Sequence, residues 1–459
     1  MTPTRHHRHA YFRLVLTLAM AGTGLGVCAE NAECAWPAPR TLGRDLPANR
    51  GDMATGQPPA ATPFEPEGVL TLRQALELAL RHSLDLAAAA HGVRAAEGNA
   101  RQAGKLPNPE VEIGAEEFGG SDSRKGYGAA QTSLGLNQPV ELGGKRGKRQ
   151  RVAQSEARLA GWAYEAQRLD VLTRTQKAFV DVLVAQGQLA LAESLLAVAE
   201  EVRQAAAERV KGGKVPRLEE TKAGVEVTAA RIARDRARRE LETARKQLVA
   251  AWGGTAPGFT EARGNLDAVS DSPPLKALAA ALDDAPEVAR WNEEVVLGRA
   301  AVALAKAERM PTVGVSAGIS RFEDDGSYAG TVGLSVPLPL FDRNVDGILA
   351  AQHRTTRAEY EQRAARLRAM TELIEAHSRL ETARGEALAI QAELLPGAQQ
   401  AFAAAQAEYR EGKVRYLEVL DAQRTLNETK ARCLDVLAAY QKAAADVERL
   451  TGTPLNTIK

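Results

Sequence analysis

From Lys145 to the paired glycines Gly212-Gly213 the chain runs for nearly seventy residues without a proline. Ala, Leu, Glu, Arg and Gln dominate the run, and these residues lose little freedom on entering a helix. At about 1.5 Å per residue, such a helix is on the order of 100 Å long. No compact domain of a 459-residue chain contains a helix of that length. A rod of this kind has to turn back and pack on itself. Gly212-Gly213 supplies residues able to take the left-handed backbone of a helix end. Pro216 then sits where a first-turn proline is tolerated, and a shorter return arm runs from Pro216 to Trp252.

The turn recurs about two hundred residues later. Lys211-Gly212-Gly213-Lys214-Val215-Pro216-Arg217-Leu218-Glu219 has its counterpart in Glu411-Gly412-Lys413-Val414-Arg415-Tyr416-Leu417-Glu418, with Gly-Lys-Val and a following Leu-Glu in register. Helical sequence leads into this second tip from about Asn344 and out of it to about Leu450. Each long helix is preceded by a change of period from helical to two. Val111, Ile113 and Ala115 alternate with glutamates and a glycine, and Leu134 and Leu136 alternate with Ser133, Gly135 and Asn137. In the second half Val313 to Ile319 and Val332 to Leu340 do the same. A further helix precedes each strand pair. One runs from Leu70 to about Gly104, with Thr71 as N-cap and Pro107 and Pro109 as its stop; the other spans Leu275 to Ala307.

The predicted organisation is therefore one programme run twice. Residues 70–253 form the first repeat, 254–273 a Gly/Pro/Asp-rich linker and 274–452 the second repeat. Residues 30–69 read as an extended tail and 453–459 as a short C-terminal one. Leu373, Leu380, Ala387 and Leu394 recur every seven residues, a coiled-coil seam, with His377 beside it as a packed polar residue.

The first 29 residues carry three arginines, then an apolar stretch from Leu14 to Val27, then small residues: the layout of an export signal. Their removal turns a formal charge of +1 into about −2, so no strong field points to nucleic acid. Cys28 offers an alternative, lipidation of the new N-terminus. Cys34 and Cys433 would otherwise be the cysteines left, and nothing places them together. No later segment reads as a run of about 20 apolar residues able to cross a membrane as a helix.

Strands remain as the way across. Their apolar faces carry Val, Leu and Ile, and the opposite faces Gly, Ser, Thr and Glu, the pattern of a barrel with lipid outside and water inside. Phe118, Tyr127, Phe322, Tyr328 and Phe341 flank them, as an interfacial girdle would. Four strands cannot close a barrel, so closure needs several chains. Two chains would give eight strands filled by side chains, and three would give twelve with room for a pore.

With these features together, the chain resembles the TolC family of outer-membrane efflux proteins over roughly residues 70–452. Gln138-Pro139-Val140-Glu141-Leu142-Gly143-Gly144-Lys145-Arg146 and Pro337-Leu338-Pro339-Leu340-Phe341-Asp342-Arg343-Asn344 are similar to its heavy-metal branch, the outer-membrane subunits of cobalt-zinc-cadmium resistance pumps. The resemblance implies a mainly α fold with a small β part. It also implies a homotrimer with a 12-stranded barrel in outer-membrane lipid and a helical tunnel in the periplasm. Its implied partners are a periplasmic membrane-fusion adaptor and an inner-membrane RND pump. Glu418 and Asp421 match the carboxylates that ring the family's periplasmic entrance, three residues apart on one helix face. Tyr409 matches a latching tyrosine and Glu219 the acid it faces. The latching arginine falls on Val414, with Arg415 one residue later. Gly213, Val215, Leu218, Gly412, Val414 and Leu417 would form small apolar notches for the adaptor at the tips.

Other classes fit less well. No Ser/His/Asp grouping, metal-ligand spacing or cofactor motif is present, which speaks against an enzyme. Gly143-Gly144-Lys145-Arg146-Gly147-Lys148 lacks the Ser or Thr of a phosphate loop. A soluble coiled-coil scaffold needs neither the amphipathic strands nor the leader. Within the channel class, drug efflux and type I protein secretion stay open as alternatives. Only Met53, Met310 and Met370 survive in the exported chain, which argues against a methionine relay for copper.

Overall fold

The computed structural model describes residues 65–458 apart from Lys214, Gly412 and Arg415. The leader, Cys28, Cys34 and most of the predicted tail lie outside the described residues, as do Gly412 and Arg415.

The long helix is present as a single element. Helix α3 (Lys145–Lys211) has 67 residues and is followed by its return arm α4 (Arg217–Ala250). Its entry depends on two left-handed glycines, Gly143 at φ +69° and Gly144 at φ +68°. A Cβ on Gly143 would also stand 2.8 Å from Met310 Cγ, so both backbone angle and space select glycine there. The second hairpin is built from α7 (Val345–Ala389), a π turn (Ile390–Leu394), α8 (Leu395–Arg410) and α9 (Tyr416–Thr451). Helices α1 (Leu72–His82), α2 (Leu84–Ala103), α5 (Leu275–Ala281) and α6 (Pro286–Glu308) pack beside these rods.

The strands β2 (Glu110–Glu116), β3 (Gln131–Glu141), β5 (Thr312–Phe322) and β6 (Tyr328–Ser335) form one antiparallel sheet in the order β2-β3-β5-β6. Its register aligns the apolar positions. Ile113, Leu134 and Ile319 form one row, and Val111, Leu136, Ala317 and Val332 another. These rows face outward without cover, and Val332 is 85% exposed. On the other face Glu112, Gly135, Gly318 and Thr331 lie in one row. Phe118, Tyr127, Tyr328 and Phe341 are exposed at the ends of the sheet.

Five features depart from the sequence reading. The helix predicted from Leu70 is two helices: Ser83 accepts from the Leu86 amide at 3.4 Å, capping α2 where α1 ends. Thr71 caps α1 with a reciprocal Gln74 bond, as expected. The tail and the linker each contribute a strand, β1 (Gly68–Thr71) and β4 (Phe259–Arg263), which pair in parallel. Leu70, Phe259 and Ala262 of this pair join Phe179, Leu248 and Trp252 in a buried cluster beside the helices. Strand β6 stops at Ser335 although alternation continues to Leu340, because Pro337 and Pro339 have no N–H to donate to a ladder. A window of α3 is, by length and composition, apolar enough to cross a membrane. On the same helix Asp181 pairs with Lys442, and Gln186 brackets Ala262 with bonds of 2.8 and 3.1 Å.

The fifth departure concerns the seam. Leu373, Leu380 and Ala387 are buried as predicted, but Leu394 is 46% exposed. Pro396 would clash with the carbonyl four residues before it in a regular helix. The π turn just ahead of it adds one residue to the turn, so the seam passes to Ile390, Leu395 and Ala398. His377 packs as a polar residue, with Nε2 3.3 Å from the Pro273 carbonyl oxygen.

Where the two hairpins meet, polar contacts join α3 to α9: Lys177 to Asp446 at 2.5 Å and Gln188 to Asp435 at 3.2 Å. Arg449 stands at the crossing of four helices. It reaches Glu372 at 2.7 Å, Glu287 at 2.8 Å and Asp170 at 3.8 Å. Burial pushes the Asp170 carboxyl above the usual aspartate range, against the pull of Arg449.

Candidate functional site

The tips are the ends of the rods farthest along the chain from the sheet. At the first, Gly213 takes φ +67° and nothing lies within 4 Å of where its Cβ would stand. Val215 is half-buried and Leu218, on the first turn of α4, is exposed. The second tip has the same character: Val414 is half-buried and Leu417, on the first turn of α9, is exposed. Exposed Leu218 and Leu417 leave shallow apolar surface at the ends of the two hairpins. Lys413 pairs with Glu411 at 2.6 Å across that turn.

Glu418 and Asp421 are both exposed, and buried Val419 between them turns inward on α9. One helix therefore presents two carboxylates to one side. A cation that the sequence reading did not include stands nearby. Arg424, one turn on from Asp421, pairs with Glu428 at 2.8 Å. That bond raises its affinity for the proton, and Asp421 and Glu226 add to the effect. The acids of α9 thus outnumber their arginine on this surface.

Tyr409 lies on α8 under the guanidinium of Arg209 from α3, 5.7 Å from the ring centre. This contact bridges the first and second hairpins near the tips, in the geometry of a cation–π pair. Glu219, the acid expected opposite Tyr409, is exposed on α4; its backbone N–H donates to the Pro216 carbonyl at 3.1 Å. Arg209 was missed because it lies on the outgoing helix, three residues before the glycine pair, in a run where charged residues are ordinary. Among the described residues no group of three His, Cys, Asp or Glu side chains is arranged to hold a metal ion. Cys433 is a buried free thiol, and burial raises its pKa.

The chain is similar to known proteins in sequence and in fold. The outer membrane efflux protein family model matches residues 75–254 and 277–453. The cobalt-zinc-cadmium resistance protein CzcC of Cupriavidus metallidurans is 36% identical over 404 residues, 88% of this chain and 94% of its own length. The nickel-cobalt-cadmium resistance protein NccC of Alcaligenes xylosoxydans xylosoxydans is 32% identical over 307 residues, 67% of this chain and 68% of its own. Among solved structures, the Campylobacter jejuni CmeC outer membrane channel superposes with a TM-score of 0.70 at 17% identity. That match covers 83% of this chain and 85% of the other.

Proposed function

This chain belongs to the outer membrane efflux protein family, and we propose that it is the passive exit duct of a tripartite pump for heavy-metal cations. The observation that carries the reading is the open sheet with one bare apolar face and two unpaired edges, β2 and β6. An edge of that kind in water invites aggregation. In a bilayer, three copies joined edge to edge make a closed barrel of twelve strands with its polar face around a pore.

The helices support the same assembly. Leu218, Val225 and Ile232 on α4 are exposed and spaced by seven, as are Tyr360, Leu367 and Ile374 on α7. A seven-residue apolar stripe is half of a coiled-coil seam, so each stripe suits a helix of a neighbouring protomer. At the tips, Leu218 and Leu417 beside Val215 and Val414 suit the helical hairpin of a periplasmic adaptor, and an RND pump would complete the system. The metal-resistance relatives favour divalent cations over drugs or proteins as cargo.

Within this reading, Glu418 and Asp421 from three chains converge at the tunnel entrance. Such a ring concentrates cations while binding each weakly enough to let it leave. Replacing both acids, Glu418→Ala with Asp421→Ala, should lower cation-over-anion selectivity in planar bilayers by about tenfold or more. Block by multivalent cations should be relieved and the trimer retained. Wild-type selectivity and block in the double variant would move the constriction elsewhere.

A further inference from the structure

Where the strands pass into helices, the chain carries charge that neither the tips nor the seam requires. Four junctions meet there: residues 104–109, 141–151, 308–311 and 336–346. Direct contacts hold them at one level. Arg149 donates to the Ala103 carbonyl at 3.1 Å, Lys145 Nζ to Thr312 Oγ1 at 3.1 Å, and Asn344 to the Ala305 carbonyl at 2.9 Å. Gly143 closes against Met310. The four junctions hold eight basic residues against four acidic ones. The opposite end of the sheet, residues 117–130 and 322–327, reverses the sign with five acids and two bases.

Three of the eight bases are engaged within the fold. Arg149 grips Glu141 with bonds of 2.6 and 3.0 Å, Lys145 binds Thr312, and Lys148 binds the Gly143 carbonyl at 3.0 Å. Lys105, Arg146, Arg151, Arg309 and Arg343 are exposed, and their side chains make no ion pair among the described residues. Leu106, Leu142, Met310, Leu340 and Phe341 are interleaved with them and exposed, Phe341 at 100%. This mixture suits a headgroup layer, where stems of Arg and Lys lie along apolar matter and their heads meet phosphate. It is also continuous with the apolar face of the sheet, since Val140 leads directly to Leu142. The collar begins where the bare apolar rows end.

We propose that this basic collar binds anionic phospholipid headgroups in the leaflet facing the periplasm, an inference that rests on the sheet being inserted in a membrane. The sign of the charge selects the lipid: a zwitterionic headgroup has no net charge for five unpaired bases to attract. Their spread over four segments fits several headgroups side by side better than one small ion in a pocket. Arg146, within the run that falls short of a nucleotide loop, has its role in this collar.

The test uses the full-length protein reconstituted in nanodiscs holding equal phosphatidylglycerol and phosphatidylethanolamine, with native mass spectrometry of the lipids it retains. Wild type should keep phosphatidylglycerol over phosphatidylethanolamine by about tenfold. Arg146→Gln with Arg151→Gln and Arg343→Gln should bring the ratio near one. Arg236→Gln with Arg238→Gln on exposed α4 should leave it unchanged. If the triple variant fails to assemble, the single variant Arg309→Gln should still lower the ratio by about twofold or more. Equal retention by wild type, equal loss in the α4 variant, or displacement of the lipid by inorganic phosphate at constant ionic strength would each overturn the collar. Those results would leave the membrane reading standing, whereas retention of no lipid at all would remove both.

Discussion

The outgoing arm of the first hairpin, α3, runs 67 residues without interruption, whereas that of the second passes from α7 through a five-residue π turn into α8. Both arms descend from the same sheet. They differ in how the packing face is carried downward. Helix α3 is regular throughout and its middle is covered on several sides, with Leu169, Val171, Leu172 and Thr173 all buried. It lies close enough to α9 that a Cβ on Gly187 would stand 2.9 Å from Leu434 Cδ1. Along the second arm Pro396 forces an extra residue into the turn, and every side chain below it is rotated by about 100°. A proline that would break an isolated helix here re-aims about the last quarter of a long one. Tyr409 lies in that re-aimed part and meets Arg209 of the unbroken arm.

If the π turn hands the seam from Leu394 to Ile390 and Leu395, the two neighbours should respond unequally to truncation. Ile390→Ala should cost about 3 kcal/mol in thermal or denaturant unfolding. Leu394→Ala should cost less than about 1 kcal/mol. Equal costs would put the seam back on the unbroken heptad and erase the difference between the arms.

The crossing of the hairpins offers a second, smaller effect. Arg449→Leu leaves Asp170, Glu287 and Glu372 facing one another without their cation. Because those acids are about half exposed, the expected loss is about 2 kcal/mol rather than the full cost of a buried charge. The loss should depend on pH. Asp170 has a folded-state pKa above its unfolded value, so its favourable contribution is present at low pH and fades as pH rises through the folded value. Without Arg449 the carboxyl is raised further, and the variant should suffer more at pH 7 than at pH 4. A pH-independent loss would reduce Arg449 to packing.

Smallest should be the effect of loosening one tie between the arms. Asp446→Asn weakens the Lys177 contact in a partly exposed pair and should cost under about 1 kcal/mol. Its value lies in the readout. Disulfide trapping between cysteines placed on α3 and α9 should become faster at the tip end and stay unchanged beside the sheet. Uniform change along the helices would make the tie global.

The parts of this fold that were legible in the sequence are those where local chemistry decides. Gly143-Gly144 and Gly212-Gly213 mark helix ends, Thr71 caps its helix, and alternation marks both strand pairs because one face is bare. Four residues of β1 and five of β4 escaped notice because strands with only one or two buried residues are too short to show a period, and the pairing partner lies far along the chain. Val336 to Leu340 misled for the opposite reason: alternation of Pro with apolar residues imitates a strand in hydropathy and cannot imitate its hydrogen bonds. The π turn was hidden because a heptad read by residue type takes no account of a turn that holds an extra residue. At the tips, residue types pointed to Glu418 and Asp421, while the Arg209–Tyr409 contact depends on two helices meeting and has no sequence signal of its own.

The middle of the sheet carries a consequence for how the molecule comes to exist. Strand β3 pairs with β5 through residues about 170 to 190 positions apart in the chain, whereas β2–β3 and β5–β6 are hairpins. Closing so long a loop is slow, and local helices and hairpins form far sooner. The two halves therefore have time to build their rods before the central ladder zips. Only after that are both outer edges, β2 and β6, held at a fixed distance and angle. An order follows from chain topology: helices, then hairpins, then the joined sheet, with the meeting of separate copies in the proposed trimer coming last. The greasy surface is complete only at the step where a bilayer is needed to receive it.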